Sequence, residues 1–193
     1  MDQKNKFKVQ DNQYTFPYHH ISALDENCYP LRHRLDSPAF GYLCYIYHIK
    51  EMVEKSNPTS VLDVGCGDGR FISELSDDIE KVGCDLSYRA IQFAKGFNPQ
   101  FTYYNEDVNN LNSVFDVVTC IETLEHVPDC DVDSFINDLA NKTKKSGKVI
   151  ISVPTTVVPL KNKHYRHYNI GTFNNELESS KAPLQIKKIS IYI

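Results

Sequence analysis

At 193 residues, 41% of them apolar and 24% charged, the chain has the size and make-up of one globular domain that buries its core without metal or disulfide support. Its formal charge of −4 excludes the global positive field that drives non-specific nucleic-acid binding. The six cysteines form no Cys-x-x-Cys pair, no stretch has the length of a membrane span, and the first eight residues lack an apolar leader core, so a reducing cytoplasm is the expected compartment.

In chain order, residues 1–38 read as an arm or lid and residues 39–193 as the domain it packs on. Tyr14 to Arg34 is aromatic and basic, is broken by Pro17 and Pro30, and offers Tyr18, His19, His20, Arg32 and Arg34 to a lid. Ala39 to Lys55 predicts a helix, with Tyr42, Tyr45, Ile46, Ile49 and Val53 at helical intervals. From residue 60 onward, short apolar runs alternate with helical segments, the mark of β/α units. The runs are Ser60 to Val64, Lys81 to Asp85, Gln100 to Tyr104, Phe115 to Ile121 and Lys148 to Val153. Helices are expected from Arg70 to Leu75, from Tyr88 to Lys95 behind the cap candidate Ser87, and from Val132 to Lys144 with Gly147 as its stop. Thr172 would cap a last helix running to Ser179, and Leu184 to Ile193 would form a final strand.

Strands so continuously apolar belong in a sheet covered on both faces. The expected fold class is therefore α/β, a three-layer α/β/α sandwich with a mostly parallel, doubly wound, Rossmann-like sheet, shortened at its C-terminal edge. An uncovered strand edge invites pairing with a second copy, so a homodimer is expected.

Asp63-Val-Gly-Cys-Gly-Asp-Gly69 follows the first strand and leads into a helix, which puts glycines where a ligand approaches the backbone. The turn lacks the Gly-Lys-Ser/Thr of a triphosphate loop, and its third glycine comes one residue early for the dinucleotide fingerprint. Asp63 and Asp68 flank it; they would repel a pyrophosphate but suit a ligand bearing a sulfonium and an ammonium, as S-adenosylmethionine (SAM) does. Asp85 ends the next strand twenty residues after Gly65, where nucleotide-binding α/β proteins place a carboxylate on the ribose hydroxyls. Asp107-Val108 follows the strand after that.

In this order and spacing the residues resemble the class I SAM-dependent methyltransferases, over about residues 40 to 190. The resemblance implies roles by position. Gly65, Cys66 and Gly67 would line the methionine part of SAM, with Asp63 near its ammonium and Ile121 against its tail. Asp85 would take the ribose hydroxyls, Leu86 would pack on adenine, and Asp107 with Val108 would hold the adenine edge. The product would be S-adenosylhomocysteine (SAH).

Cys120-Ile-Glu-Thr-Leu-Glu-His-Val-Pro-Asp129 is similar to a segment of ubiquinone-pathway O-methyltransferases, and its Glu-x-x-Glu-His also occurs in small-RNA 3′-terminal 2′-O-methyltransferases. Following the fourth strand, it faces the carboxyl edge of the sheet, where substrates collect. His126 is the first choice as general base for an oxygen or nitrogen acceptor, and Glu122 and Glu125 complete the catalytic candidates. The RNA enzymes hold a divalent metal with this motif but carry a further histidine where Val127 stands, so no metal is expected. His164, Arg166 and His167, in the basic segment after the fifth strand, are the substrate-contact candidates. A small-molecule acceptor leads; metal-assisted RNA 2′-O-methylation and a non-catalytic SAM-binding or structural role are the alternatives.

Overall fold

A computed structural model describes residues 3–12, 14 and 38–190. In chain order the elements are α1 (Gln3–Asp11), α2 (Pro38–Glu54), β1 (Ser60–Val64), α3 (Arg70–Ser73), β2 (Glu80–Cys84), α4 (Tyr88–Phe97), β3 (Thr102–Tyr104), β4 (Phe115–Ile121), α5 (Val132–Asn141), β5 (Thr143–Ser152) and α6 (Ile170–Ser180). The five strands pair in the order β3-β2-β1-β4-β5, every pair parallel. The chain winds outward from β1 in both directions, so a crevice opens at the carboxyl ends of β1 and β4.

Burial on both faces explains the unbroken apolar runs. On one face Leu43, Ile46, Ile49 and Val53 of α2 join Phe71 and Leu75 around Val61 and Val117. On the other, Val132, Ile136 and Leu139 of α5 pack against Leu62, Val118 and Cys120. Ile91 and Ala94 of α4 close a third cluster with Ile72 and Tyr103. The expected three-layer sandwich with a parallel sheet is the observed fold. Ser87 caps α4 by accepting from Ala90 N at 3.2 Å.

Three expectations need correction. Helix α5 ends at Asn141, and Gly147 lies inside β5 rather than after a helix. Phe115 pairs with Thr143 but Val117 with Lys148, so a bulge absorbs the extra residues of β5. A Cβ on Gly147 would sit 2.6 Å from the Asp116 carbonyl oxygen, which is why glycine stands in this strand. The last helix is capped by Asn169, not Thr172; Thr172 is the reciprocal partner of that capping box. Residues 184–190 form no strand: they leave the open edge of β5 unpaired, and Ile186 and Ile189 are exposed rather than buried against a sheet. Residues 191–193 lie outside the described residues, as do 15–37 with Tyr18, His19, His20, Arg32 and Arg34. Among the described residues no helix is long and apolar enough to cross a membrane.

Candidate active site

A cavity of about 750 Å³ opens at the carboxyl ends of the strands, and Lys6, Phe7, Gln10 and Asp11 of α1 line it from the opposite side. Its floor is the glycine turn. Gly65 has a φ of 75°, and a Cβ there would fall 2.2 Å from Thr123 Oγ1, so the turn and the loop after β4 interlock only through glycine. Gly65 N and Cys66 N both donate to the Cys84 carbonyl, at 2.8 and 3.1 Å, which joins the turn to the end of β2.

Asp85, just past β2, accepts Gly67 N at 3.0 Å on one oxygen and Ser87 N at 2.7 Å on the other. Each oxygen keeps a lone pair for a further donor. Burial outweighs these bonds and raises its pKa. Asp63 is buried on β1, accepts Thr119 Oγ1 at 2.7 Å, and is pushed up to about 7, first by burial. Both carboxylates line the cavity, where a cationic ligand would favour their ionised forms. Cys66 lines it too, its thiol held protonated by burial. Leu86 is 59% exposed on the rim, while Val108 is buried. Asp107 caps the short turn at Val108–Asn110 by accepting Asn109 N at 3.1 Å.

The other half of the cavity forms where β4 ends. Ile121 and Glu122 line it, and Glu122 adopts a left-handed φ of 49°, costly for a residue with a side chain. Its N–H donates to the Ser152 carbonyl at 3.1 Å, and the Tyr45 hydroxyl donates to its Oε1 at 3.3 Å and also meets Ser152 Oγ. The following turn, Leu124–His126, buries Glu125, whose Oε2 has no hydrogen-bond partner among the described residues. Burial first, then the Glu122 charge, pushes its carboxyl up to about 8.

His126 Nδ1 lies 3.2 Å from the Lys163 carbonyl, so Nδ1 carries the hydrogen and Nε2 keeps its lone pair. Burial and the charges of Lys163, Lys161 and Lys6 push this imidazole down to about 4. The same logic runs outward. His167 Nδ1 must donate to the Val158 carbonyl at 2.9 Å, its Nε2 then accepts from His164 Nδ1 at 2.7 Å, and His164 Nε2 is left with a lone pair. One donor atom each from Glu125, His126 and His164 lies within 4.8 Å of the others, an oxygen and two nitrogens of the kind that holds a divalent cation.

Of the three substrate-contact candidates, none lines the cavity; their neighbours Lys163 and Tyr165 do. The segment alternates. His164 is buried beside His126, their rings 4.7 Å apart edge to face. Arg166 turns the other way, with Nε donating to Asp129 at 3.0 Å, Nη1 to the Leu124 carbonyl at 3.1 Å and Nη2 to the Val127 carbonyl at 2.7 Å, and so clamps the two loops together. Sequence reasoning also missed α1. Lys6 Nζ donates to the His164 carbonyl at 2.5 Å and lies 4.5 Å above the Tyr165 ring, while Asp11 meets the Ser87 hydroxyl and pairs with Arg89 at 3.5 Å. The helix thus touches both ends of the cavity.

A family model described as a methyltransferase domain matches residues 40–180. The "Ubiquinone biosynthesis O-methyltransferase" of Yersinia pestis (strain Pestoides F) is 36% identical over 101 residues, covering 48% of this chain and 41% of its own length. The chain therefore spans about two fifths of the length of the curated relatives it matches. Among solved structures, the magnesium protoporphyrin IX methyltransferase from Synechocystis PCC 6803 with bound SAM superposes with a TM-score of 0.64 at 16% identity, over 93% of this chain and 86% of that one. The methyltransferase domain of bacterial CtHen1-C superposes with a TM-score of 0.59 at 20% identity, over 70% of this chain and 80% of that one.

Proposed function

The chain belongs to the methyltransferase-domain family, and on that premise we propose that it binds SAM and transfers its methyl group to an acceptor seated beside His126. The observation that carries this reading is the pair of carboxylates, buried Asp63 and half-buried Asp85, that line the cavity at the glycine turn with their pKa values raised by desolvation. A cofactor with an ammonium and a sulfonium supplies the positive charge they lack. Asp63 would take the ammonium, Gly65 to Gly67 the methionine backbone, Asp85 the ribose hydroxyls, and Leu86, Asp107 and Val108 the adenine. Ile121 would touch the methionine tail.

SAM held there would supply an electrophilic methyl carbon to a lone pair of the acceptor, its carbon–sulfur bond breaking as the new bond forms and leaving the neutral thioether of SAH. The acceptor's proton leaves to His126 Nε2, whose ring is oriented by the bond from Nδ1 to the Lys163 carbonyl. The likeness to ubiquinone biosynthesis O-methyltransferases supports an oxygen on a small molecule as acceptor.

One observation favours a second, metal-assisted reading of the same site. Glu125 Oε2 is a buried acceptor with no partner among the described residues, and Glu125, His126 and His164 gather three donor atoms that fit a divalent cation. No metal was expected because Val127 occupies the place of a histidine; His164, from a loop far along the chain, offers the missing nitrogen. A cation held there would lower the pKa of an acceptor hydroxyl.

SAH should raise the melting temperature of the folded protein, and a methyl-release screen over phenols and RNA oligomers should find turnover that His126→Ala slows while SAH affinity holds. A folded protein unmoved by SAH sinks the proposal. Turnover lost to EDTA and restored by manganese or magnesium selects the metal-assisted form; turnover indifferent to EDTA selects His126 as the base.

A further inference from the structure

We infer that Arg166 is a positioning residue for the reacting end: its guanidinium pins the turn Leu124–His126 from outside the cavity and so fixes the His126 ring, without touching the acceptor. The inference rests on the role given to His126 above. Within the turn, His126 N donates to the Thr123 carbonyl at 2.9 Å and Val127 N to the Leu124 carbonyl at 3.2 Å. The loop after β5 then takes hold of it from residue to residue. Tyr165 N donates to the Glu125 carbonyl at 2.8 Å, and the Lys163 carbonyl receives His126 Nδ1 at 3.2 Å. Arg166 meets the carbonyls on either side, Leu124 through Nη1 at 3.1 Å and Val127 through Nη2 at 2.7 Å.

The holds from 163 and 165 are backbone groups that any residue there could offer; those from 166 need a side chain. Two carbonyls three residues apart, with the Asp129 carboxylate beside them, ask for donors spread over one plane, which a guanidinium has and an ammonium lacks. The Arg166 side chain is 14% accessible and that of Asp129 80%, so the carbonyl bonds carry the clamp and the ion pair adds little. These contacts take up most of the guanidinium's five N–H groups, which leaves little for an anionic acceptor. Fixing Leu124 and Val127 fixes the segment between them. That sets the reach of His126 Nδ1 to the Lys163 carbonyl, and with it the direction in which Nε2 presents its lone pair.

The test reads the His126 ring nitrogens by heteronuclear NMR, with and without SAH, using His126→Ala to assign the signals. The wild type should show two well-separated nitrogens, one protonated and one bearing a lone pair. Arg166→Gln should draw the two signals together and let the His126 and Val127 amides exchange with solvent roughly tenfold faster, the scale of one charge-assisted hydrogen bond. Millimolar guanidinium should restore both readings. Arg166→Lys should resemble Arg166→Gln, and decides the matter if Arg166→Gln does not fold; Asp129→Asn should resemble the wild type. SAH calorimetry should give one affinity throughout. Separate ring signals that persist without Arg166, or a change that guanidinium leaves unreversed, overturn the inference. A wild type that does not bind SAH overturns the methyltransferase reading instead, while its ring signals still judge the clamp.

Discussion

At the amino ends of the strands, Asp116 Oδ2 accepts from Thr59 Oγ1 at 2.6 Å, from Thr59 N and Ser60 N at 3.0 Å each, and from Ser60 Oγ at 3.1 Å, while Oδ1 takes Lys144 Nζ at 2.9 Å. At the carboxyl ends, Asp63 has Thr119, Asp85 has two backbone N–H groups, and Glu125 has an oxygen with no partner. The donors of Thr59 and Lys144 hold Asp116 well below the usual carboxylate range; burial holds the other three above it. The lesson is that donor count, not residue type, separates a joint from a receptor. A saturated carboxylate fastens β1 to β4 and β5, while an under-supplied one facing a cavity awaits a cation or a proton.

The largest effect should come from the receptor end. Gly65→Ala forces a left-handed alanine into Thr123, and should cost about 2–4 kcal/mol of stability and abolish the SAH-induced thermal shift. Urea unfolding that moves by less than about 1 kcal/mol would show that the turn and the loop are not interlocked.

The joint should fail differently. Asp116→Asn is expected to lower stability by about 1–2 kcal/mol, discounted because the side chain is 30% accessible, with SAH affinity unchanged. Because the folded-state pKa is depressed, this contribution is full above the unfolded value near about 4 and is lost as pH falls below it. Unfolding curves of wild type and variant should therefore converge on acidification. A gap undiminished at low pH would mean that the charge of Asp116 is not what the donors hold.

The smallest effect concerns Asp63. With its pKa raised to about 7, first by burial, an arriving ammonium should drive it to ionise. SAM binding at neutral pH should then release roughly half a proton, read by calorimetry in buffers of different ionisation enthalpy. Asp63→Asn should release none, and equal release from both proteins would assign the proton elsewhere. In the ligand-free protein the sign for stability is the reverse of that of Asp116. Folded Asp63 keeps a proton that the unfolded chain has shed, so its contribution declines as pH rises from about 4 toward 7.

Much of the frame was legible. Ser60–Val64 and Phe115–Ile121 coincide with their apolar runs because strands buried on both faces are mostly apolar, Asp63 and Thr119 being buried as a hydrogen-bonded pair. Gly147 misled because glycine marks a helix end and a close backbone pass alike, and only the register between Phe115 and Val117 tells them apart. Helix α1 was invisible for another reason: Gln3–Asp11 has little apolar face, and its attachments through Lys6 and Asp11 are polar contacts with residues far along the chain. In the site, the glycine turn and Glu122 to His126 could be read from local pattern, whereas His164 as a third donor beside His126, and Lys163 and Tyr165 as cavity residues, depend on how a distant loop folds back.

That loop alternates between two tasks, and the alternation bears on how the protein can change over evolutionary time. Positions 163 and 165 meet whatever enters the cavity, while 164 and 166 hold the loop to the turn after β4. Point substitution at the odd positions can retune which molecule is accepted without loosening the even ones. Insertion or deletion of one residue would exchange the two sets, turning architecture into the cavity and recognition into the packing. Descendants of this chain are therefore expected to vary freely in residue identity at 163 and 165 and hardly at all in the length of the loop between them and Arg166.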